Sequence, residues 1–136
     1  MIILSVDYGD RYTGLAVCDR NEIIASPICT VSAKGRTALL EIVAEKAVEF
    51  SAEMIVVGLP KNMDGTEGFR AITCREFARL LEEKTSLPVR MQDERLTTVS
   101  AYNDLHAAGL RGAKAKSKVD TLSAVIILED FIRTRS

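Results

Sequence analysis

Short apolar runs alternate with polar breaks over the first thirty residues. Residues 2–7, 13–19 and 22–31 read as strands, parted by residues 8–12 and by the turn Asp19-Arg20-Asn21. Breaks this short suit hairpins, so the three strands are expected to pair antiparallel. The period then changes from two to about 3.6. Across residues 37–50, TALLEIVAEKAVEF, the apolar positions Leu39, Leu40, Val43, Ala44, Ala47 and Val48 fall on one stripe, which predicts an amphipathic helix. MIVVGLP (54–60) is continuously apolar and predicts a strand buried on both faces.

The loop KNMDGTEG leads into a second predicted helix over 69–84, with Phe69, Ile72, Phe77, Leu80 and Leu81 as its apolar stripe. A fifth strand is predicted at 87–94 and a third helix at 97–108. The lysines of RGAKAKSK (111–118) recur at every second residue and form no helical stripe, so a mobile basic loop is expected there. A last helix is predicted over 119–132. The order β-β-β-α-β-α-β-α-α calls for an α/β fold: a mixed five-stranded sheet with helices on both faces, ribonuclease H-like in its element order, although the pattern alone also permits other α/β sandwiches.

A chain of 136 residues fits a single domain spanning 1–136 and can bury a core without staples. Eighteen basic against 19 acidic residues leave a net charge of −1, so any nucleic-acid role must rest on a local patch rather than a global field. Three scattered cysteines, Cys18, Cys29 and Cys74, lack the spacing of a disulfide framework or a zinc site. The chain opens straight into a strand, without a basic leader, and its apolar runs fall short of the ~20 residues of a membrane span. A cytoplasmic protein is expected.

The candidate chemistry lies in carboxylates at strand ends. Asp7 ends the first predicted strand and Asp93-Glu94 the last. If those strands run parallel, the acids emerge at one rim, where open α/β sheets build their sites. Asp120 stands in the first turn of the predicted final helix. Carboxylate clusters suit hard cations such as Mg2+ or Mn2+, and a two-metal arrangement can cleave phosphodiesters. Each acid also has a plain structural reading: Asp7 as a turn former, Asp120 as the partner of Ser117 in a capping pair, and one of Asp93 and Glu94 as a surface charge. Spacing leaves that last choice open. Candidate phosphate contacts are Lys61, Arg95, Arg111, Lys114, Lys116 and Lys118. Aromatic residues make up only 5% of the chain, so no base-stacking platform stands out.

Four stretches in this order, SVDYGDRYTGLAV, IVVGLPKNMDGTEG, DERLTT and SKVDTLSAVIIL, resemble the YqgF family of Holliday-junction-resolvase-like proteins and pre-16S rRNA nucleases. Tyr8 departs from the small or hydrophobic residue often found there. The resemblance implies a ribonuclease H-like, cytoplasmic, metal-dependent phosphodiester hydrolase, with Asp7, Glu94 and Asp120 as metal-binding catalytic acids. It also implies structured RNA, the 5′ end of pre-16S rRNA, as substrate, with ribosomal particles as partners, in a monomer or homodimer. Two alternatives are carried forward: a resolvase of four-way DNA, and a non-catalytic RNA- or ribosome-binding protein. DYGDRYTG is also similar to the first phosphate loop of actin-like and sugar-kinase ATPases, but one domain leaves no second lobe to close on a nucleotide.

Overall fold

The computed structural model describes residues 1–94 and 113–135, the latter by backbone alone as far as residue 121. Five strands, β1 (Ile3–Asp7), β2 (Thr13–Cys18), β3 (Ala25–Val31), β4 (Met54–Leu59) and β5 (Val89–Asp93), form one sheet in the order β3-β2-β1-β4-β5. β1–β2 and β2–β3 are antiparallel, as the short connections require. β4 pairs parallel with both β1 and β5. The carboxyl ends of β1, β4 and β5 therefore share one rim, which is the condition the strand-end acids needed.

Both sheet faces are covered. Leu4, Val6, Leu15, Ile55 and Val57 point toward α1 (Arg36–Glu49) and α2 (Phe69–Thr85), where they meet Leu39, Val43, Phe77 and Leu81. Ile3, Ala16 and Val56 point the other way, toward Ala124, Ile127, Leu128 and Phe131 of α3 (Ala113–Arg135). Alternation along β1 thus assigns odd positions to the α3 face and even positions to the α1/α2 face. Ser5, fully buried on the α3 face, donates its hydroxyl to the Ala124 carbonyl at 2.6 Å. That bond ties the middle of the central strand to the helix. At the far end of α3, Arg135 pairs with Glu22, which also binds the chain's amino terminus at 2.9 Å. α3 therefore runs with its earlier turns toward the Asp7 rim.

Three expectations need correction. α3 begins at Ala113, so Lys114, Lys116 and Lys118 stand on helical backbone and not in a loop. Alanine and lysine are strong helix formers, and that preference does not need an apolar stripe. In α2 the buried positions are Ala71, Cys74, Phe77, Ala78 and Leu81, whereas Phe69 and Ile72 are 81% and 60% exposed. These buried positions recur at helical spacing, and Phe69 and Ile72 lie roughly 150° round the helix from their stripe. In α1, Val48 lies 80% exposed at the edge of its predicted stripe. The helix predicted at 97–108 lies outside the described residues.

Candidate active site

The β1–β2 turn is shaped by close approach. A Cβ on Gly9 would stand 2.2 Å from the Tyr12 carbonyl oxygen, so only glycine allows the chain to fold back directly after Asp7. Tyr8 turns to the opposite face and stacks on Phe77, with ring centroids 4.1 Å apart and planes at 7°. Its large ring is thus absorbed by the α2 side of the core, and Asp7 keeps the α3 side that it shares with Ile3 and Ser5.

Glu94 leaves β5 just past its last paired residue. Its backbone N–H donates to the Leu59 carbonyl at 3.1 Å, which extends the β4–β5 ladder by one rung and fixes where the side chain starts. The Glu94 carboxyl lies beside Gly58 of β4: a Cβ on that glycine would be 3.0 Å from Glu94 Oε2 and 2.7 Å from Ile127 Cδ1 of α3. The glycine makes room for the acid and for the helix at once. Asp93, opposite Leu59 in the register, points to the other face. The choice that spacing left open therefore falls on Glu94 as the acid facing α3.

Asp7, Gly58 and Glu94 line one cleft of about 560 Å³, with Asp10, Arg11, Arg70 and Cys74 among its other walls. Burial holds Glu94 at a raised pKa of about 7; Arg70 works against that rise and Asp93 adds to it. Burial likewise lifts Cys74 to about 11, opposed by Arg70 and reinforced by Glu94, Asp7 and Asp10. Three acids therefore act on one small volume.

Arg70, in the first turn of α2, spans the cleft mouth. It donates from Nη2 to the Tyr8 carbonyl at 2.8 Å and from Nη1 to Asp10 Oδ1 at 2.5 Å. Arg11, on the same wall, has no ion pair among the described residues. The sequence alone did not mark Arg11 or Arg70 as site residues, and it offered Cys74 only as one of three scattered cysteines. A signal for Arg70 existed: a cation in the first turn of a helix is unfavourable against the helix dipole, and α2 follows a strand that ends at the rim.

The remaining predicted residues divide as follows. Lys61 sits in the loop after β4, 3.9 Å from Glu67, and is not part of the cleft wall. Arg95 and Arg111 lie outside the described residues, as do the side chains of Lys114, Lys116, Lys118 and Asp120. The backbone of Asp120 lies in α3 one turn ahead of Ala124, the residue that accepts the Ser5 hydroxyl. Among the described residues no group of three carboxylate, thiolate or imidazole side chains is gathered around one point. No described helix is long and apolar enough to cross a membrane.

Comparison with known proteins gives a consistent picture. The family described as "RuvX: Holliday junction resolvase" matches residues 1–134. A protein of Heliobacterium modesticaldum named "Putative pre-16S rRNA nuclease" is 41% identical over 136 residues, covering 100% of this chain and 91% of the relative. One of the same name from Lachnospira eligens is 41% identical over 138 residues, covering 99% of each. Among solved structures, Thermus thermophilus RuvC in complex with a Holliday junction substrate superposes with a TM-score of 0.64 at 13% identity, covering 100% of this chain and 97% of that one. The fowlpox virus Holliday junction resolvase gives 0.55 at 14% identity, covering 96% and 99%. At such identities these two structures speak for the fold, a ribonuclease H-like sheet, and for nothing finer.

Proposed function

The chain belongs to the RuvX Holliday junction resolvase family, and from that premise we propose that it is a divalent-metal-dependent nuclease of structured RNA, acting in the cytoplasm on the 5′ end of pre-16S rRNA. The observation that carries the reading is the pairing of Asp7 and Glu94 across Gly58 in one cleft at the carboxyl rim. Relatives that match the chain nearly end to end, named "Putative pre-16S rRNA nuclease", support the choice of RNA.

Asp7, Glu94 and Asp120 would hold Mg2+ or Mn2+, one ion or two. The residues fit such a group. They offer hard oxygen donors, and Glu94 stands in a place where burial makes its charge costly until a cation offsets it. When bound, the ions would activate a water and stabilise the leaving oxygen. The chain's own part is positioning. β1 and the Gly9 turn fix Asp7, while the rung to Leu59 and the space at Gly58 fix Glu94. Asp120 would join them from α3, which the Ser5–Ala124 bond anchors to β1. Lys114, Lys116 and Lys118, on the turns ahead of Asp120, would meet the backbone of the substrate, with Lys61, Arg95 and Arg111 as further contacts.

The family's description favours a second reading, cleavage of four-way DNA junctions. A resolvase makes two symmetric cuts and therefore works as a dimer. Incubating the protein with a 5′-extended 16S precursor and, separately, with a four-way DNA junction decides between them. Metal-dependent cutting of the RNA alone supports the proposal, and cutting of the junction alone replaces it. No cutting of either favours an RNA- or ribosome-binding role without catalysis.

A further inference from the structure

We infer that Arg70 is the phosphate clamp of the cleft and that Asp10 holds its place until a nucleic-acid phosphate displaces it. The inference rests on the nuclease reading above and adds to it a residue pair for substrate capture.

A cleft walled by Asp7, Asp10 and Glu94 repels a phosphodiester, so the substrate needs a fixed cation on the same wall. Arg70 fits that role because its two contacts differ. Nη2 is held by the Tyr8 carbonyl at 2.8 Å, a backbone group set by the β1–β2 turn. This bond aims the guanidinium across the cleft whatever happens on its other edge. Nη1 is taken by Asp10, whose side chain is 88% exposed. An exposed ion pair contributes little, about a two- to fivefold bias at most, and a phosphate offers the same fork a pair of anionic oxygens. Asp10 therefore keeps the guanidinium ordered at small cost and gives way to a better anion.

This arrangement has an unusual signature: removing an acid from the mouth improves binding. The test is fluorescence anisotropy of a labelled single-stranded RNA fragment of a 16S precursor, in chelator so that nothing is cut, at several salt concentrations. Asp10→Asn is expected to bind two- to fivefold more tightly than wild type. Arg70→Gln is expected to bind about tenfold more weakly, with the log–log salt slope reduced by about one. Arg70→Lys keeps the slope but loses most of the affinity, because a lone ammonium lacks the fork. Asp10→Asn binding at or below wild-type strength overturns the inference, as does Arg70→Gln with unchanged affinity and slope. Absence of wild-type binding overturns it as well. Asp10→Asn alters only an exposed side chain, so that arm decides even if Arg70→Gln fails to fold. The nuclease reading fails separately, through loss of metal-dependent cutting by the wild type.

Discussion

Gly58 and Glu94 occupy one space: a methyl on the glycine would lie 3.0 Å from Glu94 Oε2 and 3.1 Å from its Cδ. The same methyl would lie 2.7 Å from Ile127 Cδ1, so the acid and helix α3 are seated by one missing side chain. Gly58→Ala is expected to destabilise the protein by about 1–3 kcal/mol, the usual cost of overpacking. It should also lower cleavage by far more than that loss of folded protein explains, because Glu94 is displaced. Urea unfolding beside a cleavage assay checks both. Unchanged stability with full activity would mean that the strand yields without moving the acid.

Glu94 gives the protein a pH dependence with a definite sign. Its folded pKa of about 7 lies above the ordinary 4.5, so the folded state holds the proton more tightly than the unfolded one. Stability of the metal-free protein therefore falls as pH rises from about 4.5 to 7, and the cost is fully present above that. Glu94→Gln is expected to stabilise the chelated protein at pH 8 by at most roughly 3 kcal/mol and to change little at pH 4. Added Mg2+ or Mn2+ should stabilise the wild type at pH 8 more than the variant. Thermal melts at both pH values, with and without the ion, read this directly. Equal melting of the two proteins at pH 8 in chelator would contradict the burial assigned to this acid.

Cys74 lines the cleft yet should be inert there. Burial raises its pKa to about 11, so almost no thiolate exists at pH 8. Alkylation by iodoacetamide, mapped by peptide mass, should leave Cys74 unmodified in the native protein and label it on unfolding. Rapid native labelling would mean that the cleft is more open and wetter than described.

Lys114, Lys116 and Lys118 stand on the turns of α3 that precede Asp120. Replacing all three with alanine, a strong helix former, should preserve the helix while weakening RNA binding and lowering the salt slope by up to about three. A slope equal to wild type would place these lysines outside the interface.

Much of this was legible in the chain because it depends on local chemistry. Period-two runs split by short polar breaks encode the β1–β2–β3 hairpins, and the apolar run at β4 encodes a strand covered on both faces. Asp7 could be marked from sequence because it ends such a run. Other features arise only from tertiary packing. Asp93 and Glu94 are adjacent in sequence and opposite in direction, and only the β4–β5 register decides which one meets α3. Arg70 reads as one more helix charge until α2 is laid beside the β1–β2 turn, 60 residues away from Asp10 in the chain. Phe69 and Ile72 misled because they are apolar yet lie roughly 150° round the helix from the buried stripe of Ala71, Cys74, Phe77, Ala78 and Leu81. Small Ala71 and Cys74 face the sheet in their place.

The central claim is that Asp7 is a metal-binding catalytic acid, and one comparison tests it most directly. Wild type and Asp7→Asn, shown by circular dichroism and melting to be equally folded, are incubated with a 5′-extended 16S precursor RNA in Mg2+, in Mn2+ and in chelator. The account predicts cutting by the wild type in metal only and loss of at least about a hundredfold in the variant. Metal-dependent cutting by Asp7→Asn at the wild-type rate would contradict it.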